Sequence, residues 1–223
     1  MKIAVLISGG GRTLKNFLEL IEADTLPVEV ALVIASSPRA GGLAHAEAAG
    51  VPTSVVERAD YASDELFGAA VFSRCRTAEV ELVVMAGWLK LTPVPADFAC
   101  EPDRAGRVIN IHPSLLPAFG GQGMFGHNVH EAVVARGCRV SGATVHFVDN
   151  VYDQGPIIWQ QPTPLFDDDT PETLAARVFE LEKEAYPHVL RLFAAGRVQM
   201  QGGRVRIAKA KRRGVTDSTD EHG

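Results

Sequence analysis

Two hydrophobic rhythms divide the chain. From Lys2 to Ile7 every residue after the lysine is apolar, the pattern of a strand covered on both faces of a parallel sheet. "SGGGRTLKNFLELIEAD" follows, with Leu14, Phe17, Leu18 and Ile21 at helical spacing. "VEVALVIAS" from Val28 predicts a second strand, and "GGLAHAEAAG", ending at Gly50, a short helix stopped by glycine. "TSVVE" from Thr53 predicts a third strand, Tyr61 to Thr77 a helix, "ELVVMAG" a fourth strand and "RVINI" a fifth. Strands alternating with helices in this way predict an α/β fold: a Rossmann-like, open, mostly parallel sheet with helices on both sides.

The rhythm changes after His112. "PSLLPAFGGQGMFGHN" is rich in glycine and proline and predicts a long loop of the kind that usually serves a function. "VHEAVVARG" from Val129 predicts a short helix, and "SGATVHFV" and "GPIIWQQPTPL" predict two strands joined by "DNVYDQ". So short a connection makes those strands antiparallel neighbours. A closing helix runs to Gly196, with Thr170 as N-cap, Pro171 at the first helical position and Glu172 in the first turn. Pro187 is a kink candidate inside it. Neither a repeat nor a linker interrupts the chain, so residues 1–207 are expected to form a single domain, with 208–223 as a polar, disordered tail.

Composition narrows the function. The 223 residues are 46% hydrophobic, ample for a core, and the net charge of -5 argues against nucleic-acid coating, which needs a basic face. A basic cluster, "AKAKRRG" from Ala208, lies in the tail. Cys75, Cys100 and Cys138 are odd in number and irregular in spacing, so free thiols in a reducing cytoplasm are expected rather than disulfides or a zinc site. No apolar run approaches the length of a membrane span, so no membrane partner is expected, and the acidic balance makes nucleic-acid partners unexpected too, with a nucleic-acid role for the basic tail a minor alternative.

Candidate chemistry sits at two strand ends. Gly9, Gly10 and Gly11 join the first strand to the first helix, where helix N-H groups and a partial positive charge suit an anion. Leu14 stands where a dinucleotide fingerprint would have its third glycine, and the Walker Gly-Lys-Ser/Thr is absent, so a small phosphorylated ligand fits better than ATP or NAD. A tight turn that merely needs glycine is the alternative. Asn110 and His112 are two residues apart on an extended segment, so they point the same way, and Pro113 ends the strand behind them. Both lie where an open sheet binds its ligands. A turn asparagine and a packed core histidine are the competing reading.

"NIHPSLLP" from Asn110 to Pro117, together with "GATVHFVDNVYDQGPII" from Gly142 to Ile158, resembles the folate-dependent formyltransferases. "AVLISGGGRTL" and "ARVFELEKEAYP" are similar to the branch of that family that formylates glycinamide ribonucleotide in purine synthesis. The resemblance covers roughly residues 1–207 and implies 10-formyltetrahydrofolate as formyl donor, no required metal, and a cytoplasmic monomer or homodimer. It implies Asn110, His112 and Asp153 as the catalytic group, with a protonated His112 and the Asn110 amide facing an oxyanion. Asp153 would stabilise the histidine cation and assist proton movement. Without the resemblance Asp153 is a turn residue.

The resemblance further implies that Gly11, Arg12 and Thr13 hold the substrate phosphate and that Glu182 faces its amine. Arg12-Thr13 replaces the Ser-Asn common in the family. Leu89, Lys90 and Leu91, with Asn110 and Asp149, are implied as folate-binding, and Trp88 and Leu89 offer apolar surface. His130 matches a position near the substrate, His127 reads as exposed, and His146 reads as a packed, hydrogen-bonded histidine. Asp64 stands where the family often has arginine, and the loop "AFGGQGMFG" is of the longer form.

Overall fold

The computed structural model describes residues 1–209. Seven strands form one sheet: β1 (Lys2–Ile7), β2 (Glu29–Ala35), β3 (Thr53–Val55), β4 (Leu82–Met85), β5 (Val108–His112), β6 (Val140–Phe147) and β7 (Ile157–Pro164). Their spatial order is β3-β2-β1-β4-β5-β6-β7, parallel through the first five and antiparallel for β6 and β7. The chain moves outward one way from β1 through β2 to β3, then returns to β4 on the other side. The reversal opens a crevice at the carboxyl ends of β1 and β4.

Alternation along β1 builds both layers. Ile3, Val5 and Ile7 pack on one face with α1 (Arg12–Glu22), α2 (Gly42–Ala48), α4 (His127–Ala135) and α5 (Pro171–Ala194). Ala4 and Leu6 face the other side, against Phe67, Val71 and Phe72 of α3 (Asp64–Thr77). All five of these β1 residues are fully buried, which accounts for the unbroken apolar run.

Helix α5 brings the C-terminal half to the site. A reciprocal cap starts it: Thr173 N-H donates to Thr170 Oγ1 (3.3 Å) and Thr170 N-H donates to Thr173 Oγ1 (3.0 Å). Pro187 does not end the helix. Having no N-H, Pro187 leaves the Lys183 carbonyl without its helical donor, and the Asn16 amide of α1 donates there instead (3.1 Å). Just before Pro187, the buried Tyr186 hydroxyl lies 2.9 Å from the Met85 carbonyl and 3.1 Å from that of Ile109, pinning α5 to the end of β4 and to β5.

Three expectations shift. The helix drawn from Tyr61 begins at Asp64, because Ser63 accepts from Leu66 N-H (3.3 Å) as its cap. The short helix drawn from Val129 begins at His127. A two-stranded hairpin, β8 (Val198–Gln201) and β9 (Arg204–Ile207), follows α5, turning at Gly202 and Gly203, both at positive φ. Apart from Ala208 and Lys209, the tail expected to be disordered lies outside the described residues.

Candidate active site

A cavity of about 850 Å³ opens at the crevice, and every site residue expected from the sequence lines it: Gly11, Arg12, Thr13, Leu89, Lys90, Leu91, Asn110, His112, Asp149, Asp153 and Glu182. They arrive on several elements, each for a local reason.

The glycine turn enters first. Gly11 is the N-cap of α1 in left-handed conformation, φ 69°. A Cβ there would lie 2.5 Å from Gly42 Cα, so the missing side chain also lets α2 pack against the turn. Gly9 and Gly10 have open space around them, so Gly11 is the member of the trio that the fold requires. No side chain caps α1, which leaves the N-H groups of its first turn at the cavity.

Asn110 and His112 come from β5, paired across to His146 and Thr144 of β6. His112 is 2% exposed. Its Nε2 lies 2.8 Å from the Phe119 carbonyl, which can only accept, so Nε2 carries the proton. Nδ1 faces Asp153, 3.6 Å from Oδ2. Burial lowers the His112 pKa against the opposing pull of Asp153 and the Phe119 carbonyl. Burial thus favours the neutral ring over the cation at this position.

Asp153 sits at φ 57° in the β6–β7 connection, a conformation aspartate tolerates better than most residues. Its Oδ2 accepts from Gly121 N-H at 2.9 Å. The loop 113–126 passes close above it: a Cβ on Gly120 would sit 3.1 Å from Asp153 Cβ and 2.6 Å from Leu116 Cδ2. Through Phe119 and Gly121, that one loop holds both His112 and Asp153.

His146 belongs to this group, which sequence reading missed. It is buried and hydrogen-bonded as expected, with Nδ1-H donating to the Phe147 carbonyl at 2.8 Å. Its Nε2 lies 3.4 Å from Asn110 Nδ2 and 3.7 Å from Asp153 Oδ1. Burial lowers its pKa, so Nε2 presents a lone pair to the Asn110 amide. The pairing of position 146 with 110 across an antiparallel register is the signal that sequence alone does not print.

On the opposite wall, Arg12 lies with Cζ 4.0 Å from the centre of the Phe179 ring, and Phe179 too was not anticipated. Glu182 follows one turn later on α5; burial pushes its carboxyl up to about 7, against the pull of Arg12. His130 has its pKa lowered to about 4 by burial, with repulsion from His127 and His112 adding, and its Nδ1 is buried without a partner. His127 is half-exposed between Glu131 (3.3 Å) and Glu172 (3.4 Å).

The region implied as the folate pocket is partly self-engaged. Leu89 N-H donates to Ser8 Oγ (3.0 Å), and the Lys90 carbonyl accepts from Thr92 Oγ1 (3.0 Å). Trp88 is core, stacked on Phe67 with its indole N-H on Thr92 Oγ1 (2.7 Å). Asp149 Oδ1 accepts from Val151 N-H (2.9 Å), which shapes the turn. Asp64 pairs with Arg58 at 2.5 Å. Among the described residues no cluster of three or more His, Cys, Asp or Glu is arranged to hold a metal, and no helix is long and apolar enough to cross a membrane.

The Rossmann-like fold defines a class, and comparison with known proteins identifies it. The formyl transferase profile matches residues 1–190, and the chain belongs to that family. The phosphoribosylglycinamide formyltransferase of Haemophilus influenzae is 34% identical over 201 residues, 90% of each chain. The chloroplastic enzyme of that name from Vigna unguiculata is 39% identical over 88% of this chain and 62% of its own. The trifunctional purine biosynthetic protein adenosine-3 of Gallus gallus is 40% identical over 90% of this chain but 19% of its own, so the chain spans only part of these two relatives. Among solved structures, glycinamide ribonucleotide transformylase 1 from Symbiobacterium toebii superposes with a TM-score of 0.84 at 39% identity, covering 94% of each chain.

Proposed function

We propose that this chain transfers the formyl group of 10-formyltetrahydrofolate to the primary amine of glycinamide ribonucleotide, with residues 1–207 acting as one unit. The observation that carries the proposal is the meeting of Asn110, His112 and Asp153 in one cavity with the uncapped start of α1. Relatives named for this activity support it.

The substrate phosphate sits at the N-H groups of Arg12 and Thr13, and the amine lies toward Glu182. Folate lies along Leu89 to Leu91 and the connection from Asp149 to Asp153, with backbone groups and apolar side chains as its contacts. The amine lone pair attacks the formyl carbon, and the carbonyl oxygen becomes an oxyanion. One Asn110 amide hydrogen is held by His146, leaving the other to donate to that oxyanion. Asp153 takes the proton released by the amine and passes it to Nδ1 of His112, the ring nitrogen left free by Phe119. The resulting imidazolium stabilises the oxyanion by its charge. Collapse breaks the bond from carbon to N10, and N10 takes the proton. No protein side chain becomes formylated.

The test is spectrophotometric release of deformylated folate from the formyl donor, with and without the ribonucleotide. Release that requires the ribonucleotide is expected; release that ignores it overturns the acceptor, and no release overturns the activity.

A further inference from the structure

Arg12 makes none of the carboxylate ion pairs found at five other described arginines. Arg58, Arg76, Arg104, Arg139 and Arg177 are each tied to a carboxylate. Arg12 lies on an aromatic face, as Arg107 does on Phe98, with Cζ 4.0 Å from the centre of Phe179, and the charge nearest to it in effect is the Glu182 carboxyl, on which it pulls. A guanidinium stacked on a ring keeps its N-H donors in its own plane, unconsumed and aimed outward. The ring also restricts a long side chain that otherwise loses rotamer freedom when it binds. The first turn of α1 contains no acidic residue to neutralise the cation, and its N-H groups have no side-chain cap. Both Arg12 and Phe179 line the cavity.

We propose that Phe179 positions the Arg12 guanidinium as a clamp on the phosphate monoester of the amine substrate, and that the pair sets the preference for a phosphorylated acceptor. The clamp rests on the reading that places that phosphate at the start of α1. It joins two elements far apart in sequence, so the anion is gripped by helix N-H groups on one side and a planar fork on the other. The same wall carries Glu182 one turn beyond Phe179, so a cation and a carboxylate lie in the order of a substrate with phosphate at one end and amine at the other. Phe179 is a positioning residue, acting through Arg12.

The test compares wild type, Arg12→Ala, Phe179→Leu and Phe179→Tyr in two measurements. One is turnover with glycinamide ribonucleotide and with its dephosphorylated ribonucleoside; the other is calorimetric binding of the ribonucleotide. Arg12→Ala is expected to raise KM and Kd for the ribonucleotide about 10- to 100-fold with kcat nearly unchanged, and to leave KM for the ribonucleoside alone. Phe179→Leu is expected to raise the same constants about 2- to 5-fold, and Phe179→Tyr, which keeps the ring face, to restore them. Equal losses on both acceptors, or no loss, in Arg12→Ala overturn the clamp. Wild-type constants in Phe179→Leu overturn the platform. A wild type that binds the ribonucleotide without formylating it contradicts the proposed activity alone, because calorimetry still reads the clamp; one that does not bind it overturns both.

Discussion

The amide nitrogen of Asn110 lies 3.4 Å from Nε2 of His146, on neighbouring antiparallel strands in direct register. The His146 ring is itself fixed by the Phe147 carbonyl at Nδ1, so the unprotonated nitrogen faces the amide and selects which end of Asn110 turns toward it. Asn110 is thus aimed as a donor before any substrate arrives. His146→Ala is expected to lower kcat about ten-fold with KM for both substrates little changed, since an unaimed donor is lost mainly in the transition state. Steady-state kinetics decide; an unchanged kcat would show that Asn110 needs no such support.

His112 and Asp153 face each other at 3.6 Å and are steadied by one loop. His112→Ala and Asp153→Asn should each reduce kcat by roughly two orders of magnitude or more while the protein remains folded and binds its substrates. Near-normal turnover in either folded variant would remove that residue from the proton path.

Glu182 should give the acceptor a pH-dependent KM. Burial raises its pKa to about 7, so its carboxylate form, and with it the proposed contact to the amine, is lost as pH falls through neutrality. KM for the ribonucleotide is expected to rise below about pH 7, and Glu182→Gln should raise it at pH 8 and flatten the profile. A variant with the wild-type profile would place the titrating group elsewhere.

Acid should destabilise the fold through its buried histidines. His112, His130 and His146 have lowered pKa values, so the unfolded chain binds more protons than the folded one as pH drops below the ordinary histidine value. Their stabilisation is present above about pH 6.5 and is lost as pH falls through the folded values, to about 4 for His130. Glu182 works in the opposite direction over part of that range, because its folded pKa is raised. Substituting one histidine isolates its share: His130→Gln should show a smaller fall in Tm between pH 7 and 4.5 than wild type. An equal fall would show that His130 titrates as an ordinary, solvated histidine.

Gly11 is required by the fold and, under the proposed function, by phosphate binding as well. An added Cβ meets Gly42 at 2.5 Å and a left-handed backbone, so Gly11→Ala should lower Tm by several degrees as well as raise KM for the ribonucleotide. Thermal melts and kinetics on the same sample separate the two; an unchanged Tm would mean that the turn opens freely.

Much of this was legible in the sequence because it is written locally. The unbroken run at Lys2–Ile7 marks a central strand to the residue, and Thr170-Pro171 marks the start of α5. Asn110 and His112 were legible as a pair because a strand alternates its faces. The hairpin at 198–207 went unread although Gly-Gly between short alternating segments signals it, because the pattern follows directly on a strong helix. His146 reads as core on its own strand, and only the β5–β6 register makes it a partner of Asn110. Phe179 looks like one more apolar helix residue until α1 and α5 are packed together. The balance at His112 is likewise not legible locally: proximity to Asp153 favours a cation, and burial, which only the fold supplies, opposes it.

Direct transfer from folate nitrogen to substrate nitrogen can be followed by NMR with an isotope-labelled formyl carbon. Incubation of purified protein with labelled 10-formyltetrahydrofolate and glycinamide ribonucleotide should move the label into a formamide on the ribonucleotide, with none appearing as formate. Label released as free formate at the rate of folate turnover would rule out transfer to the ribonucleotide and make this site a hydrolase.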